Sequence, residues 1–183
     1  MSTAELRRHR WTRDEWSELD PIAFRHCELI DGEIIEMSPM GQPHAIVTDH
    51  ISELFIRSIE GRVPCVGSQT PIIIDDHSEP EPDVWVAGVA RANLRLGKPV
   101  PEELLFVVEV SDSTLRFDRR MKIPLYARAG IAETWIIDVG AQRVERFAEP
   151  ADGRYVLHEI HPIDSTLTSP WGHRFEVCTL LTP

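Results

Sequence analysis

The 183-residue chain is 42% hydrophobic and 27% charged, an ordinary globular balance, and is long enough to bury a sizeable core as one domain. Its formal net charge of −11, from 30 acidic against 19 basic side chains, argues against nonspecific nucleic-acid binding through a basic surface. The longest apolar runs, such as Leu104 to Val108, are too short to span a bilayer, and MSTAELRRHR lacks an apolar core after its basic residues, which excludes a secretory signal pattern.

Thr12-Arg13-Asp14-Glu15 is a capping box that opens a short helix to about Leu19, ahead of Pro21. Asp31-Gly32 between Cys27-Glu28-Leu29-Ile30 and Glu33-Ile34-Ile35-Glu36-Met37 predicts a β-hairpin. After a loop at Ser38 to Gln42, apolar residues from Ile46 to Ile59 recur at intervals of three and four. They predict an amphipathic helix over 44–59, with Gly61 as its stop. Residues 63–75 and 83–87 read as strands, separated by the turn-rich segment 76–82, and Leu104 to Val110 is the most strand-like run. Ser111 to Thr114 starts a second helix that runs to about Ala129, with Pro124 as a kink or a late start. Thr134 to Asp138 is a further strand, and 143–147 with 154–160 form a closing hairpin around Asp152-Gly153. The expected organisation is one α/β (α+β) domain over 1–183. It comprises an N-terminal helix and hairpin (12–37), a core (43–139) holding a mixed sheet flanked by helices, and a closing hairpin region (140–183).

Glu109 is the most informative residue for chemistry. The continuous apolar character of Phe106-Val107-Val108-Glu109-Val110 indicates a strand buried on both faces, where an ionised carboxylate is costly unless it is paired or bound to metal. A salt bridge at a strand end is the ordinary alternative. Asp83, directly after Pro82, opens a neighbouring strand, where it could equally be a turn residue. Together the two carboxylates can converge on one ion, and oxygen-only ligands suit Mg²⁺ or Mn²⁺ rather than zinc. Asp118, Lys122 and Tyr126 share a helix face. A lysine beside a metal could orient the attacking water or stabilise charge on a phosphate, whereas on the surface it would be a weak ion pair. That face should turn towards Glu109, leaving Phe117, Met121 and Leu125 more of the packing. Arg116, Arg119, Arg120 and Lys122 also concentrate positive charge in an otherwise acidic chain.

These segments resemble the Uma-two family of restriction-endonuclease-like proteins, a branch of the PD-(D/E)XK nuclease superfamily. The matching runs are Glu28-Leu29-Ile30-Asp31-Gly32-Glu33, Met37-Ser38-Pro39, Ser78 to Val84, Val107 to Ser113, Asp118-Arg119 with Lys122, and Pro124 to Ile131 continuing to Trp135-Ile136-Ile137-Asp138. The resemblance covers roughly residues 24 to 155. It implies the restriction-endonuclease-like fold, Asp83 and Glu109 as ligands of Mg²⁺ or Mn²⁺, and Lys122 as the catalytic lysine. It further implies that Glu28 is an acidic member of the site and that His44 lies near it at a helix start. Gln69 is an additional candidate. In the superfamily's basic motif the lysine stands two residues after the glutamate, where this chain has Ser111; the resemblance implies that in this family the lysine comes from the next helix instead.

Other motifs are weak. Cys27, Cys65 and Cys178 are odd in number, far apart and without C-x-x-C spacing, which suits small buried or half-buried thiols in a reducing, cytoplasmic setting. His158-Glu159-Ile160-His161 lacks metalloprotease spacing, and Trp135 and Trp171 suit the core or an interface rather than base stacking. The expected function is a metal-dependent endonuclease acting on nucleic acid, DNA above all. Each chain offers one site, so cutting both strands is expected of a homodimer. The alternatives are a nuclease-fold binding or interaction protein with little hydrolysis, kept open by the net acidity, and a phosphoesterase for another substrate.

Overall fold

The computed structural model describes residues 9–37, 41–59, 65–94 and 97–182. Thr12 caps α1 (Arg13–Ser17), accepting from the Glu15 N–H while the Glu15 carboxylate accepts from the Thr12 N–H at 2.8 Å, so the expected capping box is present. β1 (Cys27–Ile30) and β2 (Glu33–Glu36) form the expected hairpin, with Asp31 and Gly32 both at positive φ in the mirror turn that suits strand twist. α2 (Gln42–Ser58) follows; the expected loop at Ser38, helix stop at Gly61 and strand start at Val63 lie outside the described residues.

β3 (Cys65–Ser68), β4 (Val84–Ala87), β5 (Leu104–Ser111), β6 (Glu133–Asp138), β7 (Arg143–Ala151) and β8 (Arg154–Pro162) line up in that order in one sheet. All neighbours are antiparallel except β5 and β6. That parallel pair needs a crossover, which α3 (Leu115–Phe117), a π-helical turn at Asp118–Lys122 and α4 (Ile123–Arg128) supply. β9 (Thr166–Thr168), β10 (Arg174–Glu176) and α5 (Val177–Leu181) complete the chain. Among the described residues no helix is long and apolar enough to cross a membrane.

The strand expected over 63–75 ends at Ser68. Gln69 turns the chain away with φ of +48°, and Pro71 has no N–H to give to a ladder. Ile72 and Ile74 instead donate to Pro80 and Ser78 carbonyls, closing the 76–79 turn back on itself.

Alternation along the strands separates two cores. Val84, Val86, Phe106, Val108, Val110, Trp135 and Ile137 face α2 and α5. Phe55 of α2 sits at the centre of that core, its ring 5.3–6.1 Å from those of Phe106, Trp135, Trp171 and Phe175. On the opposite face Trp85 and Val107 pack against Leu125 and Tyr126 of α4 and Ile30 of the first hairpin. Glu109 follows Val107 on this second face.

Gly67 stands opposite Trp85 across β3 and β4. A Cβ at Gly67 would lie 2.1 Å from the Trp85 ring, which is 1% exposed and donates to Thr70 Oγ1 at 2.9 Å. Gly67→Ala is therefore expected to cost about 1–3 kcal/mol through overpacking, read as a lower melting temperature; an unchanged transition would contradict this packing.

Candidate active site

The β4–β5 register pairs Val84 with Val108, so Asp83, one residue before β4, falls opposite Glu109 on the same face. Asp83 is fixed at both flanks: its Oδ2 accepts from the Val110 N–H at 2.7 Å and lies 3.1 Å from His44 Nε2. His44 reaches it from the first turn of α2, and its other ring nitrogen is buried without a hydrogen-bond partner among the described residues. Burial works against the imidazolium, but the hydrogen bond and charge of Asp83 outweigh it and raise the His44 pKa.

Glu109 lies on the buried β5 at 2% exposure, and both carboxylate oxygens are occupied. Tyr126 OH donates to Oε1 at 2.5 Å, and Lys122 Nζ donates to Oε2 at 3.1 Å. The same ammonium donates to Glu28 Oε1 at 3.2 Å, while Glu28 Oε2 is buried with no hydrogen-bond partner among the described residues. Asp118 is also buried, accepting from Ser111 Oγ at 2.6 Å and Thr114 Oγ1 at 2.7 Å.

Asp118, Lys122 and Tyr126 all turn inward, as the sequence spacing suggested. The packing residues depart from expectation: only Leu125 is fully buried, and Phe117 and Met121 are half-buried. The π-helical turn is the reason. Pro124 has no N–H for the Arg120 carbonyl, and its ring would clash there in a regular helix. The Ile123 N–H instead bonds back to the Asp118 carbonyl, which widens the turn. The basic run is divided as well: Arg119 pairs with Glu145 of β7, Lys122 enters the site, and Arg116 and Arg120 remain exposed.

A cleft of about 330 Å³ opens over this cluster, lined by Glu28, His44, Gln69, Glu81, Asp83, Glu109, Asp112, Asp118 and Lys122, with Arg25 and His26 also contributing. The structure thus brings together all six residues singled out from the sequence. Gln69 enters as a left-handed residue just past β3, its N–H donating to the Asp83 carbonyl at 3.1 Å, rather than from within a strand. Sequence reasoning missed Glu81, although a carboxylate locked between Pro80 and Pro82 beside Asp83 was a usable signal. It also missed Asp112 in the Ser111–Thr114 bend.

Burial raises the pKa values of Glu28, Glu81, Glu109 and Asp118; Lys122 offsets part of this, and the neighbouring carboxylates add to the rise. For Lys122 itself, burial pulls downward, but Glu109 and Glu28 outweigh it, and the ammonium stays charged well beyond an ordinary lysine. The native state therefore binds more protons than the unfolded chain above the ordinary carboxylate value of 4.5. Raised His44 acts in the same direction above 6.5. Stability from these groups is present at low pH and lost as pH rises through their folded values. The depressed carboxylates, Glu15, Glu145 and Glu159, act oppositely: their stabilisation is fully present across this window and is lost only as pH falls below 4.5 towards their folded values. Without added metal, the melting temperature is expected to fall from about pH 5 to about pH 8, and less steeply in Glu109→Gln. A rise across that range would contradict the electrostatics of the cluster.

The donor set suits a hard cation. Among the described residues six carboxylates face the cleft against Lys122 and Arg25, and one buried carboxylate oxygen has no partner. Among the described residues no three His, Cys, Asp or Glu side chains form a ready cage. Mg²⁺ does not require one, since it commonly binds through one or two carboxylates, waters and substrate phosphates.

Comparison with known proteins agrees with this architecture. The family model Uma2, described as "Putative restriction endonuclease", matches residues 16–178. A crystal structure from Anabaena variabilis, titled as a putative nuclease belonging to DUF820, superposes with a TM-score of 0.73. It is 17% identical, with 93% of this chain and 97% of that one covered, a likeness of fold. No curated protein matches.

Proposed function

The chain belongs to the Uma2 family, and from that premise we propose that it is a metal-dependent endonuclease, cutting DNA with Mg²⁺ or Mn²⁺ held by Asp83 and Glu109. The observation that carries the reading is the juxtaposition of these two carboxylates across β4 and β5, with Lys122 against Glu109 at the floor of an open cleft.

A bound divalent cation supplies Lewis-acid polarisation of the scissile phosphate and an acidified water. The chain's own groups do the rest. The Val110 N–H and His44 fix Asp83, while Tyr126 fixes Glu109, so the two carboxylates are oriented before a ligand arrives. Lys122 holds its proton, so its role is that of a permanent cation balancing charge that develops on the phosphate, rather than a general base. The net charge of −11 makes binding dependent on the cation and on local groups such as Arg25 at the cleft mouth.

One such cluster per chain cuts one strand, so we also propose that two copies act together, which sedimentation at micromolar concentration tests. The function itself is tested by incubating plasmid and single-stranded oligonucleotides with Mg²⁺ or Mn²⁺ beside a Glu109→Ala control. Metal-dependent cutting lost in the control supports the reading. Binding without cutting under every condition would leave the nuclease fold as an interaction module.

A further inference from the structure

We infer that Glu28 is a positioning residue, the carboxylate onto which the Lys122 ammonium closes when Glu109 takes up the cation. The inference rests on the proposed reading of this site as a metal-dependent nuclease.

Each Glu109 oxygen already accepts one hydrogen bond, Oε1 from Tyr126 and Oε2 from Lys122. A cation placed against Glu109 and Asp83 repels the ammonium beside it. That ammonium, with 3% of its side chain exposed, cannot retreat into solvent and needs another acceptor. Glu28 already shares it, at 3.2 Å against 3.1 Å for Glu109. Its second oxygen, buried within a side chain 6% exposed, has no hydrogen-bond partner among the described residues and is a spare acceptor on the same carboxylate. The strand beneath does not yield: Leu29 accepts from the Glu79 N–H at 2.8 Å and Asp31 donates to Ser78 Oγ at 3.1 Å. A small rotation of the lysine end therefore transfers the charge between two fixed carboxylates. Without Glu28, the ammonium would stay on Glu109 and compete with the cation.

The test is Mn²⁺ binding, followed through the electron paramagnetic resonance signal of free Mn²⁺. It compares wild type, Glu28→Gln, Lys122→Met and the double variant, all checked for folding by circular dichroism. Glu28→Gln is expected to weaken Mn²⁺ binding about tenfold or more, the scale for groups that orient metal ligands. In the Lys122→Met background, where no ammonium competes, the same change should cost less than about twofold. Equal losses in both backgrounds would mean that Glu28 acts on the ion itself and would overturn the inference, as would no loss in either. If Glu28→Gln does not fold, Glu28→Asp replaces it in the same comparison, keeping the charge but withdrawing it by one methylene. A wild-type protein whose Mn²⁺ binding is indifferent to Asp83→Asn would instead overturn the underlying reading of the site.

Discussion

Glu109→Gln is expected to lose cleavage while keeping the fold. The amide preserves shape and still accepts from Tyr126, and Lys122 keeps Glu28 as its partner at 3.2 Å. Burial holds the Glu109 pKa well up, which means that its ionised form is costly in the free protein. Removing that charge should leave the melting temperature unchanged or raised in metal-free buffer. The catalytic loss has a different size. A cation displaced from the phosphate forfeits several kcal/mol of transition-state stabilisation, on the order of a thousandfold in rate at about 1.4 kcal/mol per factor of ten. Gel-based cleavage beside a thermal melt checks both halves. Cleavage at the wild-type rate would remove Glu109 from the mechanism, whatever the melt shows.

Lys122→Met separates the lysine from the metal. A buried cation that balances charge in the transition state is worth roughly two to four orders of magnitude in turnover. Mn²⁺ affinity should meanwhile hold or rise, because a neighbouring positive charge has gone. Lys122→Arg should restore only part of the rate, since a planar guanidinium does not fit between Glu28 and Glu109 as a compact ammonium does. If Lys122 merely held the phosphate backbone, binding would weaken and its salt dependence would become shallower while the chemical step survived. Single-turnover cleavage at saturating DNA distinguishes the two, and an undiminished rate would end the catalytic role.

Much of this architecture is legible in the chain because local chemistry and burial agree. Both Asp-Gly pairs, at 31–32 and 152–153, take positive φ and join paired strands. The closing hairpin runs further than its apolar pattern, over 143–151 and 154–162, because ladder hydrogen bonds continue through polar residues. The apolar run around Glu109 is β5, one of the two central strands of the sheet, and its one carboxylate faces the cleft. What periodicity cannot carry is a change of period: spacing by four assumed a regular helix, and Pro124 imposed a wider turn, leaving Phe117 and Met121 half-buried. Nor could sequence spacing show that Tyr126 and Lys122 would divide the two oxygens of Glu109 between them. Arg119 was equally opaque, since its partner, Glu145, stands on a strand 26 positions away.

The pairing of Lys122 with Glu28 joins residues 94 positions apart, and that separation has a consequence for the order in which the molecule forms. Adjacent strands such as β7 and β8 meet across a two-residue turn and can pair early. Docking the first hairpin onto the crossover helix closes a far longer loop, and contacts of that range form at greater entropic cost and more slowly. A folding chain is therefore expected to form the hairpins of the sheet before Lys122 meets Glu28. The cluster is complete only once the N-terminal hairpin brings Glu28 to Lys122.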